Sequence, residues 1–76
     1  MVEPAWEHDL RFEGDGSGCG EILLDLKLFF RPLATGTRVL IVNHDGGAPI
    51  EMPAWCRLSG NVLLAAAHPY YLVSKR

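Results

Sequence analysis

The residue with most chemistry to offer is Cys19, which closes the segment Gly14-Asp15-Gly16-Ser17-Gly18-Cys19-Gly20 directly ahead of a stretch with helical periodicity. Four glycines in those seven residues permit close backbone approach, and Gly18 and Gly20 leave the sulfur uncrowded on either side. A thiol at a helix start meets the positive end of the helix dipole and unpaired backbone N–H groups. Both favour the thiolate, which is the nucleophilic form. Asp15, Glu21 and Asp25 lie close by in sequence and act the other way, since negative neighbours disfavour thiolate. His44, in a loop after an apolar run, would favour the thiolate as a cation if the fold brought it near Cys19. The alternative for Cys19 is a small residue filling a crowded turn. Cys56, beside Trp55, is either a second sulfur site or a buried packing thiol.

Other site chemistries find less support. His8, His44 and His68 with the two cysteines lack C-x-x-C or H-x-x-x-H spacing, so no metal is expected. The glycine loop fails the G-x-G-x-x-G pattern at Cys19, and no Gly-Lys-Ser/Thr is present, so no nucleotide cofactor is expected either. A formal net charge of −2 argues against direct nucleic-acid binding. Two cysteines are too few for a disulfide scaffold, and Met1-Val2-Glu3-Pro4-Ala5-Trp6-Glu7 lacks the basic start and apolar run of a signal peptide. A reduced, cytoplasmic setting follows as the expectation. The apolar runs Val39 to Val42 and Val62 to Ala67 are far too short to cross a bilayer.

These residues need elements to hold them. The chain has 76 residues, of which 49% are hydrophobic and 21% charged, enough for one domain and one core. Residues 1–7 read as an N-terminal extension, with Trp6 a lid or an exposed docking residue, and residues 8–76 as a single domain. His8 to Glu13 alternates as a half-buried strand, with Leu10 and Phe12 on one side. Glu21 to Arg31 is an amphipathic helix: Ile22, Leu26, Phe29 and Phe30 recur at the helical period, Leu33 just beyond continues it, and Pro32 ends the helix. Arg38 to Asn43 reads as a strand central in a sheet. Asp45 to Pro49 reads as loop, and Pro53 suits the first position of a short helix running to Ser59 with Trp55 and Leu58 facing inward. Asn61 to Ala67 and Tyr70 to Lys75 form a hairpin about His68-Pro69, and one of Tyr70 and Tyr71 belongs to the core. The expected fold is α/β (α+β): a two-layer βαβαββ sandwich, two helices on one face of a four-stranded mixed sheet.

With those elements in place, the chain resembles the TusA/SirA-type sulfur carrier family, whose hallmark is Cys-Pro-x-Pro at the start of the first helix. The corresponding stretch here is Cys19-Gly20-Glu21-Ile22. Thr35-Gly36 before a hydrophobic strand, Asp45 after it, Glu51-Met52-Pro53-Ala54-Trp55-Cys56 opening the second helix and the closing hairpin complete the likeness. The resemblance implies a protein that accepts a sulfane sulfur as a persulfide on Cys19 and hands it to a partner. The implied partners are a cysteine desulfurase, a rhodanese-like protein or another sulfur-relay protein. The implied destinations are tRNA thiolation, molybdenum cofactor or sulfur metabolism. No cofactor is implied, and a monomer is expected. Gly20 and Ile22 replace both motif prolines. A divergent, non-catalytic interaction or regulatory module on the same scaffold is therefore the alternative, and a redox-sensing pair of Cys19 and Cys56 a third.

Overall fold

The computed structural model describes residues 3–14 and 19–76, apart from the side chains of Cys19 and Gly20. Its elements run β1 (Leu10–Glu13), α1 (Cys19–Phe30), β2 (Arg38–Val42), α2 (Ala48–Ser59), β3 (Val62–Ala67) and β4 (Tyr70–Ser74). The βαβαββ order is the one the hydrophobic periodicities predict.

Val39, Leu40, Ile41 and Val42 point alternately to both faces of the sheet, so a strand made of them requires cover above and below. The sheet order β1-β2-β4-β3 supplies hydrogen-bonding neighbours on both edges of β2. β1 runs parallel to it with Leu10 opposite Val39, and β4 antiparallel with Val42 opposite Tyr70. A parallel pair needs a long crossover, and α1 is that crossover. β4 then turns back from β3 through His68-Pro69, whose peptide bond is cis.

Both helices pack on one face, as expected. Ile22, Leu26 and Phe30 of α1 and Ala48, Met52, Trp55 and Cys56 of α2 meet Val39, Ile41, Tyr71 and Val73 of the sheet. Removing each large aliphatic side chain from water contributes about 1.5–3 kcal/mol. Rings join the layers edge to face: Phe12 to Phe29 at 5.3 Å, Phe29 to Phe30 at 6.1 Å and Phe30 to Trp55 at 5.2 Å. Such pairs add directional preference to the apolar burial.

The face away from the helices is also closed at its centre. Leu40 and Leu72, paired across β2 and β4, are 0% and 7% exposed. Arg11 lies on that same side, opposite Leu40 in β1, and its guanidinium forms ion pairs with Glu3 and Glu13. Glu3 is thereby held to the sheet, and Pro4 and Trp6 in the same segment are half-buried.

Several boundaries differ from the sequence reading: α1 ends at Phe30, β2 at Val42, and β3 begins at Val62, each one residue inside the expected bound. β1 starts two residues later, at Leu10, and α1 two residues earlier, at Cys19. β4 ends at Ser74. The largest difference is α2, which opens at Ala48 and carries Pro53 inside it. Asp45 explains the early start, because its Oδ2 accepts the Gly47 N–H at 2.9 Å and its carbonyl accepts the Ala48 N–H at 3.1 Å, which turns the chain directly into the helix. Pro49 falls in the first turn, where a missing N–H costs nothing. The helix closes on Gly60 in the left-handed region at φ 81°, its N–H donating to the Cys56 carbonyl. The inward face is thus Ala48, Met52, Trp55 and Cys56, and Leu58, expected inside, is 89% exposed. It lies two residues past Cys56, roughly 200° around the helix from it.

These placements make opposite predictions for two leucines. Leu26→Ala, emptying a fully buried site, costs about 2–5 kcal/mol, whereas Leu58→Ala stays within about 0.5 kcal/mol of the parent. Chemical denaturation of both variants checks the assignment, and equal losses would contradict it.

Candidate functional site

Gly14, where the chain leaves β1, is buried, and its N–H donates to the Val42 carbonyl at 2.9 Å. A Cβ there would lie 2.7 Å from Ile22 Cδ1, so the chain passes close against the first turns of α1 and a larger residue would displace the Ile22 side chain. The loop that follows therefore begins beside the last residue of β2.

β2 runs directly into Asn43, which is 0% exposed. Its backbone N–H donates to the Pro69 carbonyl at 2.8 Å. Its side chain accepts the Asp45 N–H on Oδ1 at 3.1 Å and donates from Nδ2 to Met52 Sδ at 3.7 Å. A buried amide must find such partners, and by finding them Asn43 joins the end of β2 to the β3–β4 turn and to α2. Because β1 and β2 are parallel and β4 starts opposite Val42, several features share one end of the sheet. They are the carboxyl ends of β1 and β2, the first turns of both helices and the His68-Pro69 turn. The positive poles of both helices face that end.

The candidate residues distribute as follows. Cys19 is the first residue of α1 and Gly20 the second. The Cys19 sulfur, Gly18 and the rest of the glycine loop through Asp15 lie outside the described residues. Glu21 is exposed in the first turn of α1, where its charge complements the helix dipole. His44 is exposed directly after Asn43, at the same end of the sheet as the start of α1. Glu51, expected to open α2, lies inside it, its N–H donating to the Gly47 carbonyl at 2.9 Å.

Cys56 is not part of this end. It sits eight residues into α2, roughly 12 Å along the axis from its start, as a free thiol 4% exposed within the core. Burial pushes that thiol from 9.0 up to about 11, which keeps it protonated and poorly nucleophilic. The packing alternative is the one its surroundings fit.

Two features escape the sequence reading. One is the buried Asn43 junction, whose only linear signal is a polar amide ending a β-branched run. The other is a hydrogen bond of 2.6 Å between His68 Nδ1 and the Tyr71 hydroxyl, with the rings 5.9 Å apart. Burial raises the Tyr71 phenol above its ordinary range. Among the described residues, no three His, Cys, Asp or Glu side chains converge as a metal site, and no helix is long and apolar enough to cross a membrane.

The chain matches no protein-family model and no curated protein.

The Cys56 thiol has a measurable consequence. Between pH 9 and pH 11 the unfolded chain gives up this proton while the folded chain keeps it, so stability falls as pH rises, by up to about 1.4 kcal/mol per pH unit. Tyr71, shifted in the same direction, adds to the fall at higher pH. Urea unfolding across that window should show the decline and a shallower one in Cys56→Ala. Identical profiles would refute the assignment.

Proposed function

We propose that the protein is a TusA/SirA-type sulfur carrier in which Cys19 holds a persulfide and passes the outer sulfur to a partner protein. The observation that carries this reading is that α1 opens at Cys19 itself, so that the residue stands in the first helical turn, where backbone N–H groups and the helix dipole favour thiolate. The βαβαββ order supports it, as does the tight passage of Gly14 that starts the loop.

The chemistry is a sulfur exchange. The Cys19 thiolate attacks the outer sulfur of a donor persulfide, a new S–S bond forms on Cys19, the donor S–S bond breaks, and the donor leaves as a thiolate. Transfer onward repeats the step with Cys19 as the leaving thiolate. His44 lies at the same end of the sheet, and Glu21 places a negative charge in the first turn of α1. The partner, a cysteine desulfurase or rhodanese-like protein, supplies the remaining acid, base and substrate groups. Leu24 and Leu28, exposed by 57% and 53% on α1 beyond Cys19, offer apolar area for such a partner.

A second reading rests on Ile22. Where the family motif has proline, this side chain is 1% exposed and packs in the core, so the position is committed to packing, and the stiffening that proline would give the first turn is absent. An interaction module that retains the scaffold without sulfur transfer is the function that follows from it.

Intact mass after incubation with a cysteine desulfurase and cysteine decides between them. The carrier gains about one sulfur mass that vanishes in Cys19→Ser and persists in Cys56→Ser, because only an accessible thiolate accepts sulfur. No gain in the folded wild type would eliminate sulfur transfer and leave the interaction module.

A further inference from the structure

At the end of the molecule where both helices finish, an open cleft of about 480 Å³ is lined by Lys27, Arg31, Lys75 and Arg76 and by no Asp or Glu. On the sheet the arginines are neutralised: Arg11 pairs with Glu3 and Glu13, and Arg38 with Glu7 and Asp9. Lys27, Arg31 and Arg76 make no ion pair among the described residues.

Part of this charge serves the fold. Lys75 Nζ donates to the Phe30 carbonyl at 2.8 Å and so caps α1. The carboxyl ends of two helices contribute roughly half a negative charge each. Set against four cations, that leaves a net positive charge, and a concave surface of predominantly one sign gathers counter-ions.

The shape narrows the ligand further. The volume falls within the range of small-molecule sites, about 300–1,000 Å³. Leu58, 89% exposed, and the edge of Trp55 provide an apolar wall beside the cations. An occupant that satisfies both carries a compact anion and an apolar body. A phosphate monoester suits the anion better than a single carboxylate, since it brings about −1.5 to −2 charges at neutral pH and three acceptor oxygens, and guanidinium forks bind such oxygens in pairs.

We propose that this cleft is a binding site for a small organic phosphate, with the phosphate held among Lys27, Arg31 and Arg76 and its apolar part against Leu58. The site lies at the opposite end of α1 from Cys19, roughly 17 Å along the helix, and stands or falls independently of sulfur transfer.

Phenyl phosphate titrated into the ¹⁵N-labelled Cys19→Ser protein tests it. The expected result is saturable shifts at Lys27, Arg31, the Leu58 to Asn61 amides and the Trp55 indole. Binding should weaken at least about tenfold in Lys27→Gln/Arg31→Gln, since each lost charge-assisted contact costs on the order of a factor of ten. Both side chains are exposed, so the variant keeps its core, and its amide spectrum verifies the fold. Inorganic phosphate should bind more weakly than phenyl phosphate, and Leu58→Ser should remove that difference. No saturable shift, unchanged affinity in the double variant, or equal binding of inorganic phosphate would overturn the proposal. So would tighter binding of a poly-glutamate peptide or a short RNA at the same residues, which would make the cleft a macromolecular surface.

Discussion

Everything in this molecule is arranged around β2. Val39, Leu40, Ile41 and Val42 leave no side of the strand that can face water, and all four are at most 3% exposed. One face takes both helices. The other closes over Leu40 and Leu72, with Glu3 held to that side by Arg11. Both edges carry neighbours, one parallel and one antiparallel, which obliges α1 to act as a crossover and sets its first residue at the carboxyl end of the sheet. Even the loop after β2 follows from this burial. Asn43 continues the strand into the interior, and its amide must collect partners from Pro69, Asp45 and Met52.

The legible parts of the sequence were those where one local pattern dominates. Ile22, Leu26 and Phe30 recur at the helical period and all three are buried, and the β-branched run before Asn43 announced a central strand. α2 was half legible. Gly46, Gly47 and Pro49 have the composition of a loop, which masks the local hydrogen bonds by which Asp45 turns Gly47 and Ala48 into a helix start. Shifting that start redefines the inward face, and Leu58 moves outside with it. The Glu3 to Arg11 link joins an apparent extension to a strand and depends on which face Arg11 takes. The candidate site divides in the same way. Cys19 stands out through its glycines and its place before a periodic stretch, while the grouping of His44, the two helix starts and the β3–β4 turn at one end requires the parallel pairing of β1 and β2.

The two cysteines show how position alone separates two identical side chains. Cys56 is enclosed by the core and held as a thiol by burial. Cys19 opens a helix beside a segment of glycines, at the end where two helix dipoles point outward. The charges do not divide so simply: seven of the nine acidic residues lie at or before Asp25, but Glu7 and Asp9 pair with Arg38 at the start of β2, the end of the sheet where the helices finish and the cations of the cleft gather. The sulfur reading and the basic cleft occupy opposite ends of α1.

β3 borders the sheet, paired only with β4, and its sequence Val62-Leu63-Leu64-Ala65-Ala66-Ala67 carries no charge. A flat, uncharged edge of this kind would invite another chain to add on and propagate into aggregates. The register shift between Leu63 and Ala65 interrupts it. A bulge twists the strand and throws its outward N–H and C=O groups out of step, so an incoming strand finds only short matching stretches on either side of Leu64. That single extra residue works as a stop against templated growth, guarding the solubility of a border that has no lysine or proline to do so.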